Sequence, residues 1–369
     1  MCNISAQSAL ASLLKKTQLI IWDECLMSHR HQIECVDRTM QDLLECNKPF
    51  GGKCVVFGGD PRQILPVIKH GTRAAIVDAS ITSSPLWPKF QKRNLTVNMR
   101  ADEDEIHFSE YLLRIGNGTE NIAEDANTVR VPANFRVSTM EGLIDHVFPD
   151  VEQAVQHSSF ISNRAILTPR NENVHAINDL IMNRLPGESH TYLSADSVEE
   201  SEEPHLWPTD FLNSLSPSGM PPHSLTLKVG APVMLLRNLK PGAGHGLSNG
   251  TRMVVKQLGR NIIEIEILTG SGAGQRVMIP RITLAPSEMS IPFRRRQFPV
   301  QSCFAISVNK AQGQTLEHVG IYLPEPVFSH GQYYVALSRA KRASAVAVYV
   351  PDSSEHTSNI VYSEVLSMT

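Results

Sequence analysis

The chain has 369 residues, 41% of them hydrophobic, and a formal net charge of -3 from 34 Lys and Arg against 37 Asp and Glu. That length favours two or three domains. The charge excludes a uniformly basic nucleic-acid binder but leaves room for local basic grooves. No apolar run approaches the roughly 18 residues that a membrane-spanning helix needs.

The N-terminal MCNISAQSAL has neither the charged start nor the apolar core of a signal peptide. Cys2, Cys25, Cys35, Cys46, Cys54 and Cys303 are scattered and form no C-x-x-C pair. They read as reduced intracellular thiols rather than as zinc ligands or disulfides.

Ala6, Ala9, Leu10, Leu13 and Leu14 recur at helical spacing, with Ser5 available as the N-cap. A strand follows at Leu19–Trp22. Val36, Met40, Leu43 and Leu44 mark a second helix, and Pro49, Gly51 and Gly52 turn the chain into a strand at Cys54–Phe57. Alternating helix and strand predict a parallel sheet with covered faces. Both strands end in acid-bearing loops, WDE and GGD, and ligands of open α/β sheets collect at the carboxyl ends of strands.

Residues 116–160 have weak patterning and read as a connecting region after a first α/β domain at 1–115. A second α/β domain is expected over 161–195 and 297–369. Its elements are the strand AILTP, a helix bearing Val174, Ile177 and Ile181, a return strand in FPVQSCFAISV, the turn and helix of NKAQGQTL, the strand VGIYL, a helix in QYYVALSRAK and a strand at 345–350. Residues 196–224 are acidic and then rich in Pro and Ser, which predicts an insertion ordered in part at best. From 225 to 284 the apolar period falls to two, so a small antiparallel β-barrel over 225–296 is expected as an insertion in the second domain.

An Asp-Glu pair after a strand suits Mg²⁺-dependent phosphoryl chemistry, one carboxylate holding the metal and the other orienting or deprotonating water. The same pattern also describes a capped turn at a strand end. GGDPRQ, residues 58–63, adds two glycines that permit close backbone approach, then an acceptor, a cation and a neutral amide in Asp60, Arg62 and Gln63. A Gly-rich turn with a solvated ion pair is the plainer reading of that stretch. LTVNMR ends in Arg100, VNKAQGQTL carries Lys310, Gln312 and Gly313, and YVALSR carries Arg339. Each arginine alone fits a surface ion pair; as an ordered set they fit cations that stabilise a transferring phosphoryl group.

IIWDE, VVFGGDPRQILPV, LTVNMR, AILTPRN, LLRNL…GLSNGTR, RRRQFPV, NKAQGQTL and HGQYYVALSRA occur in that order. Together they resemble the motifs of PIF-type (petite integration frequency) DNA helicases of superfamily one, nearest to the eukaryotic branch that includes Helitron transposons. The resemblance runs from about residue 3 to about residue 350. It implies two RecA-like P-loop NTPase domains, the first incomplete, with a small barrel in the second. It also implies ATP and Mg²⁺ as cofactors, 5′→3′ movement on single-stranded DNA, action at duplex junctions, and work in repair, recombination or telomere maintenance in the nucleus or mitochondrion.

Carried over by position, Asp23 becomes the Mg²⁺ carboxylate, Glu24 the catalytic base, Gln63 the γ-phosphate sensor, and Arg100 and Arg339 the arginines that reach it. Lys310, Gln312 and Gly313 fall in the motif that couples nucleotide to DNA. Pro61 stands where the family usually has Phe, which removes an N–H and an aromatic contact. Arg294, Arg295 and Arg296 read either as a solvated cluster or as part of a DNA groove. Phe293, Phe298, Tyr333 and Tyr334 are candidates for base stacking.

No G-x-x-x-x-G-K-[ST] cradle occurs in the chain, and GGKC at 51–54 has neither its spacing nor its hydroxyl. A βαβ unit needs roughly 30 residues, more than precede Asp23, so the chain is expected to enter the family pattern after the first motifs. The alternatives to a helicase fragment are a catalytically inactive, transposon-derived DNA-binding remnant and a different phosphate-sensing P-loop protein.

Overall fold

Leu19–Trp22 and Cys54–Phe57 pair in parallel, Leu19 opposite Cys54 and Trp22 opposite Phe57. One face of this ladder, with Ile20, Trp22, Val55 and Phe57, packs on a core of Cys25, Leu26, Ile33, Met40, Phe50, Ile81 and Leu86. The opposite face is bare: Ile21 is 71% exposed and Val56 49%. Helix Ala9–Lys16 begins at Ser8, whose hydroxyl accepts from the Ala11 N–H, rather than at the expected Ser5. Helix Arg30–Leu43 buries Ile33, Met40 and Leu43 at helical spacing.

The computed structural model describes residues 1–122, 127–151, 158–198, 207–239, 247–286, 289, 291–351 and 355–367. It divides into two compact units. The first comprises Met1–Pro132, Glu325–Ala343 and Asp352–Thr369; the second comprises Ala133–Pro324 and Ser344–Pro351. The first unit thus takes in 325–343 and most of the C-terminal stretch, which the sequence groups with the second α/β region.

The second unit holds a five-stranded parallel sheet in the order Ala305–Ser307, Arg164–Thr168, His318–Tyr322, Val346–Tyr349, Arg136–Val137. Helices Met140–Val147 and Asn171–Arg184 cover it, burying Leu143, Ile144, Ile177 and Ile181. Both central strands are near-continuous apolar runs, as strands buried on two faces require.

The expected barrel is replaced by open sheets. Five antiparallel strands run in the order Arg276–Pro280, Ile262–Ile267, Arg252–Leu258, Pro232–Leu235, Val300–Ser302, and the two edge strands do not pair with each other. No closed barrel forms among the described residues. The reason lies in Phe293–Gln297, which joins a separate three-stranded sheet with Ile282–Leu284 and Ala195–Val198. The expected linker therefore supplies a strand, and also the helix Thr209–Ser214; its acidic run at 199–206 and the KPGAGHG turn at 240–246 lie outside the described residues.

Arg252 ties the open sheet to the parallel one within this unit. Its guanidinium is 1% exposed and donates to the Ser162 and Arg164 carbonyls at 2.8 Å each and to the Ile161 carbonyl at 3.3 Å. The sequence places Arg252 at the end of the GLSNGTR motif but gives no sign that it is buried.

Candidate functional site

The two acid loops of the first unit are stitched together by backbone. Gly58 N–H donates to Trp22 O and Cys25 N–H to Gly58 O, both at 2.9 Å. A side chain at Gly58 would put its Cβ 2.9 Å from Asp23 Oδ1, so glycine is what allows this approach. Asp23 is exposed, with Oδ1 accepting from the Glu24 N–H at 2.9 Å. Glu24 sits in the left-handed region at φ 51°, a strained conformation for a non-glycine residue at a strand end. Burial, reinforced by the Glu24 charge, pushes the neighbouring Cys25 thiol up to about 11.

Asp60 organises the next loop. Its Oδ1 accepts from Arg62 N–H at 3.1 Å and from the Arg62 guanidinium at 3.3 Å. Its Oδ2 accepts from Gln63 Nε2 at 3.4 Å and from the Tyr334 hydroxyl at 2.9 Å. Gln63 Oε1 is buried and accepts no hydrogen bond among the described residues. A buried acceptor without a protein donor is costly, so it is suited to receive a hydrogen bond from a bound group.

Arg339, on the turn after helix Gln332–Leu337, is fully buried. Its Nε donates to Val335 O at 2.9 Å and its Nη2 to Ser338 Oγ at 2.8 Å. Burial, and then the like charge of Arg100, lower its pKa to about 10, against the opposing pull of Tyr334, Glu24 and Asp60. Arg100 itself donates to Ser338 O at 3.3 Å. LTVNMR forms no strand, since Leu95, Val97 and Met99 have no ladder partner among the described residues and are 99, 74 and 88% exposed. The first unit thus brings together Glu24, Asp60, Gln63, Arg100 and Arg339.

In the second unit a cleft of about 470 Å³ is lined by Ser248–Thr251, Thr269–Gly272, Lys310, Gln312 and Gln314. Lys310 is exposed at this cleft, yet the packed protein around it holds its ammonium below the usual lysine value, with nearby Cys303 opposing. Gly313 is exposed with φ 79°.

The arginine cluster separates by pleat. Arg295 is fully buried, with Asp196 accepting from Nε at 2.9 Å and from Nη2 at 2.7 Å, and Pro221 O accepting from Nη1 at 3.1 Å. Arg294 is half-buried and Arg296 exposed. Of the aromatic candidates, Phe293, Phe298 and Tyr333 belong to the core at 1, 0 and 1% exposure, so they present no face to a base; Tyr334 is half-buried and engaged with Asp60.

The donor set fits some of a nucleotide site. Among the described residues no three His, Cys, Asp or Glu side chains cluster as a metal cage. Mg²⁺ commonly takes one or two carboxylates plus water and substrate phosphates, which the exposed Asp23 suits. The glycine cradle for the inner phosphates is absent from this sequence.

The family description "PIF1-like helicase" matches residues 1–126, and "DNA helicase Pif1, 2B domain" matches residues 210–258. The chain is 27% identical over 340 residues to the ATP-dependent DNA helicase PIF1 of Xenopus laevis, covering 89% of this chain and 47% of that protein. It is 27% identical over 337 residues to the Homo sapiens protein of the same name, covering 90% and 46%.

This chain is similar to the PIF1-like helicases.

It spans about half the length of these two curated relatives. Its fold matches Bacteroides Pif1 bound to ssDNA with a TM-score of 0.68 at 22% identity, over 94% of this chain and 74% of that one. Pif1 helicase from Candida albicans matches with a TM-score of 0.67 at 21% identity, over 97% and 76%. The α/β architecture is thus that of the RecA-like Pif1 helicases, whose curated members are ATP-dependent DNA helicases. No described helix of this chain is long and apolar enough to cross a membrane.

Proposed function

We propose that this chain carries the hydrolytic residues of an ATP-driven DNA helicase that moves 5′→3′ on single-stranded DNA and acts at duplex junctions. The observation that carries the reading is Arg339, buried beside the like charge of Arg100 in the unit that also holds Glu24 and the orphan acceptor of Gln63. A buried guanidinium with a second, half-buried cation beside it is relieved by a polyanion, and a terminal phosphate is one. Solved Pif1 structures with ADP-AlF3 and ssDNA, and at forked dsDNA, support the choice of nucleotide and of DNA partner.

In this reading Glu24 takes the proton of the attacking water, and Gln63 orients that water through its buried Oε1. Asp60 holds the Gln63 amide, so the oxygen points away from the Asp60 carboxylate. Arg100 and Arg339 stabilise the charge that grows on the transferring group. Asp23 would hold Mg²⁺, which neutralises phosphate charge when bound. The cleft with Lys310 and Gln312, together with Arg294 and Arg296, supplies phosphate contacts for DNA. Repair, recombination and telomere maintenance, in nucleus or mitochondrion, are the settings the family suggests.

A second reading, DNA binding without turnover, is favoured by the absence of a G-x-x-x-x-G-K-[ST] stretch within these 369 residues. Single-stranded DNA-stimulated phosphate release from Mg²⁺-ATP separates the two. Turnover that Glu24→Gln abolishes supports the helicase; tight DNA binding with no turnover above that variant supports the second reading.

A further inference from the structure

His330 lies outside the hydrolytic set, yet it is fully buried against the loop that carries Gln63. Its Nε2 is 2.8 Å from the Pro61 carbonyl, and its Nδ1 is 2.9 Å from the Tyr362 amide nitrogen. A backbone N–H only donates and a carbonyl only accepts. The two partners together therefore fix one tautomer, with the proton on Nε2 and a lone pair on Nδ1. Next to it, Gly331 has φ 73°, and a Cβ there would stand 2.8 Å from the carbonyl carbon and oxygen of Gln63.

We propose that His330 is a positioning residue: through its two backbone hydrogen bonds it holds the Asp60–Gln63 loop against the segment that leads to Arg339. The imidazole touches no phosphate and transfers no proton. It acts by denying the Pro61 carbonyl an alternative orientation, so that Gln63 and Arg339 are presented as one rigid assembly. Pro61 makes such a clamp necessary, because it has no N–H with which to anchor itself. The clamp stands on geometry alone; only its consequence for turnover rests on the hydrolytic reading above.

The groups facing the imidazole are Asp60, Arg73, Tyr362 and Glu364. The Tyr362 ring stacks on it at 5.2 Å and is itself covered by the Arg73 guanidinium at 4.8 Å. Phenylalanine at 330 would keep ring volume and lose both hydrogen bonds. Glutamine keeps an amide donor for Pro61. Space-filling and hydrogen-bonded positioning therefore give opposite results.

The test is amide hydrogen exchange across 58–64 and 360–364 in the full chain, for wild type, His330→Phe and His330→Gln. Loss of the clamp raises exchange about tenfold in those segments, the scale of one buried hydrogen bond. It does so in the Phe variant and much less in the Gln variant, with distant helices unchanged. Equal protection in wild type and His330→Phe overturns the proposal. Imidazole ¹⁵N spectra of the wild-type chain need no variant: an Nε2–H tautomer is expected, and an Nδ1–H tautomer overturns the clamp. A chain with the expected exchange pattern but no ATP turnover leaves the clamp standing and defeats the hydrolytic reading.

Discussion

The Tyr334 hydroxyl donates to Asp60 Oδ2 at 2.9 Å, joining a helix near the C-terminus to the loop that follows the second strand, 274 positions away in the chain. The same carboxylate oxygen accepts from Gln63 Nε2, so one phenol helps to aim the γ-phosphate sensor proposed above.

Tyr334→Phe keeps the ring and removes this charge-assisted bond. A loss of about 1.5–3 kcal/mol in unfolding free energy is expected, the usual range for hydrogen bonds to charged groups. Urea denaturation measures it. Burial and the nearby Asp60 also raise the Tyr334 pKa well above the ordinary phenol, so the hydroxyl stays protonated through neutral pH.

His330 makes stability fall on the acid side. Burial lowers its pKa below the unfolded value of 6.5, so the unfolded chain binds the proton more readily. Its stabilising contribution is fully present above pH 6.5 and declines as pH falls below that value toward the depressed folded pKa. Protonating Nδ1 also breaks the bond from the Tyr362 N–H. Urea midpoints between pH 8 and pH 5 should drop more in wild type than in His330→Gln; parallel curves would sink this account.

Asp196 is the only carboxylate within ion-pairing distance of Arg295 among the described contacts, and both side chains are fully buried. Asp196→Ala leaves a buried, uncompensated guanidinium, which costs roughly 3–5 kcal/mol. Thermal melting of the second unit is the measurement. The loss should exceed that from Arg296→Ala, whose exposed side chain is cheap to remove.

Binding to a fluorescent single-stranded oligonucleotide should weaken steeply as salt rises, with a log–log slope that reports the phosphates contacted. Removing one such contact, with Lys310→Ala, should reduce the slope by about one. An unchanged slope would place the DNA away from the cleft that Lys310 lines.

The chain's own order of residues made much of the first site legible. Short apolar runs between helical and turn signals located the parallel strands Leu19–Trp22 and Cys54–Phe57 of the first unit, and their carboxyl ends pointed to Asp23, Glu24 and Asp60. These are local properties, set by neighbours in sequence. Burial is not local. Arg294, Arg295 and Arg296 look alike in the chain, yet Arg295 is spent inside the fold because a strand 99 positions earlier supplies Asp196 opposite it. Likewise His330 reads as an ordinary loop histidine until Pro61 and Tyr362 close around it from 269 and 32 positions away. The open sheets in place of a barrel have the same origin: alternation fixes which face of a strand is apolar, but which strand it pairs with is decided by long-range hydrogen bonding. Sequence determined which reactive side chains this protein carries and where along the chain they lie. Tertiary structure decided which of those groups face solvent, which are held, and what holds them.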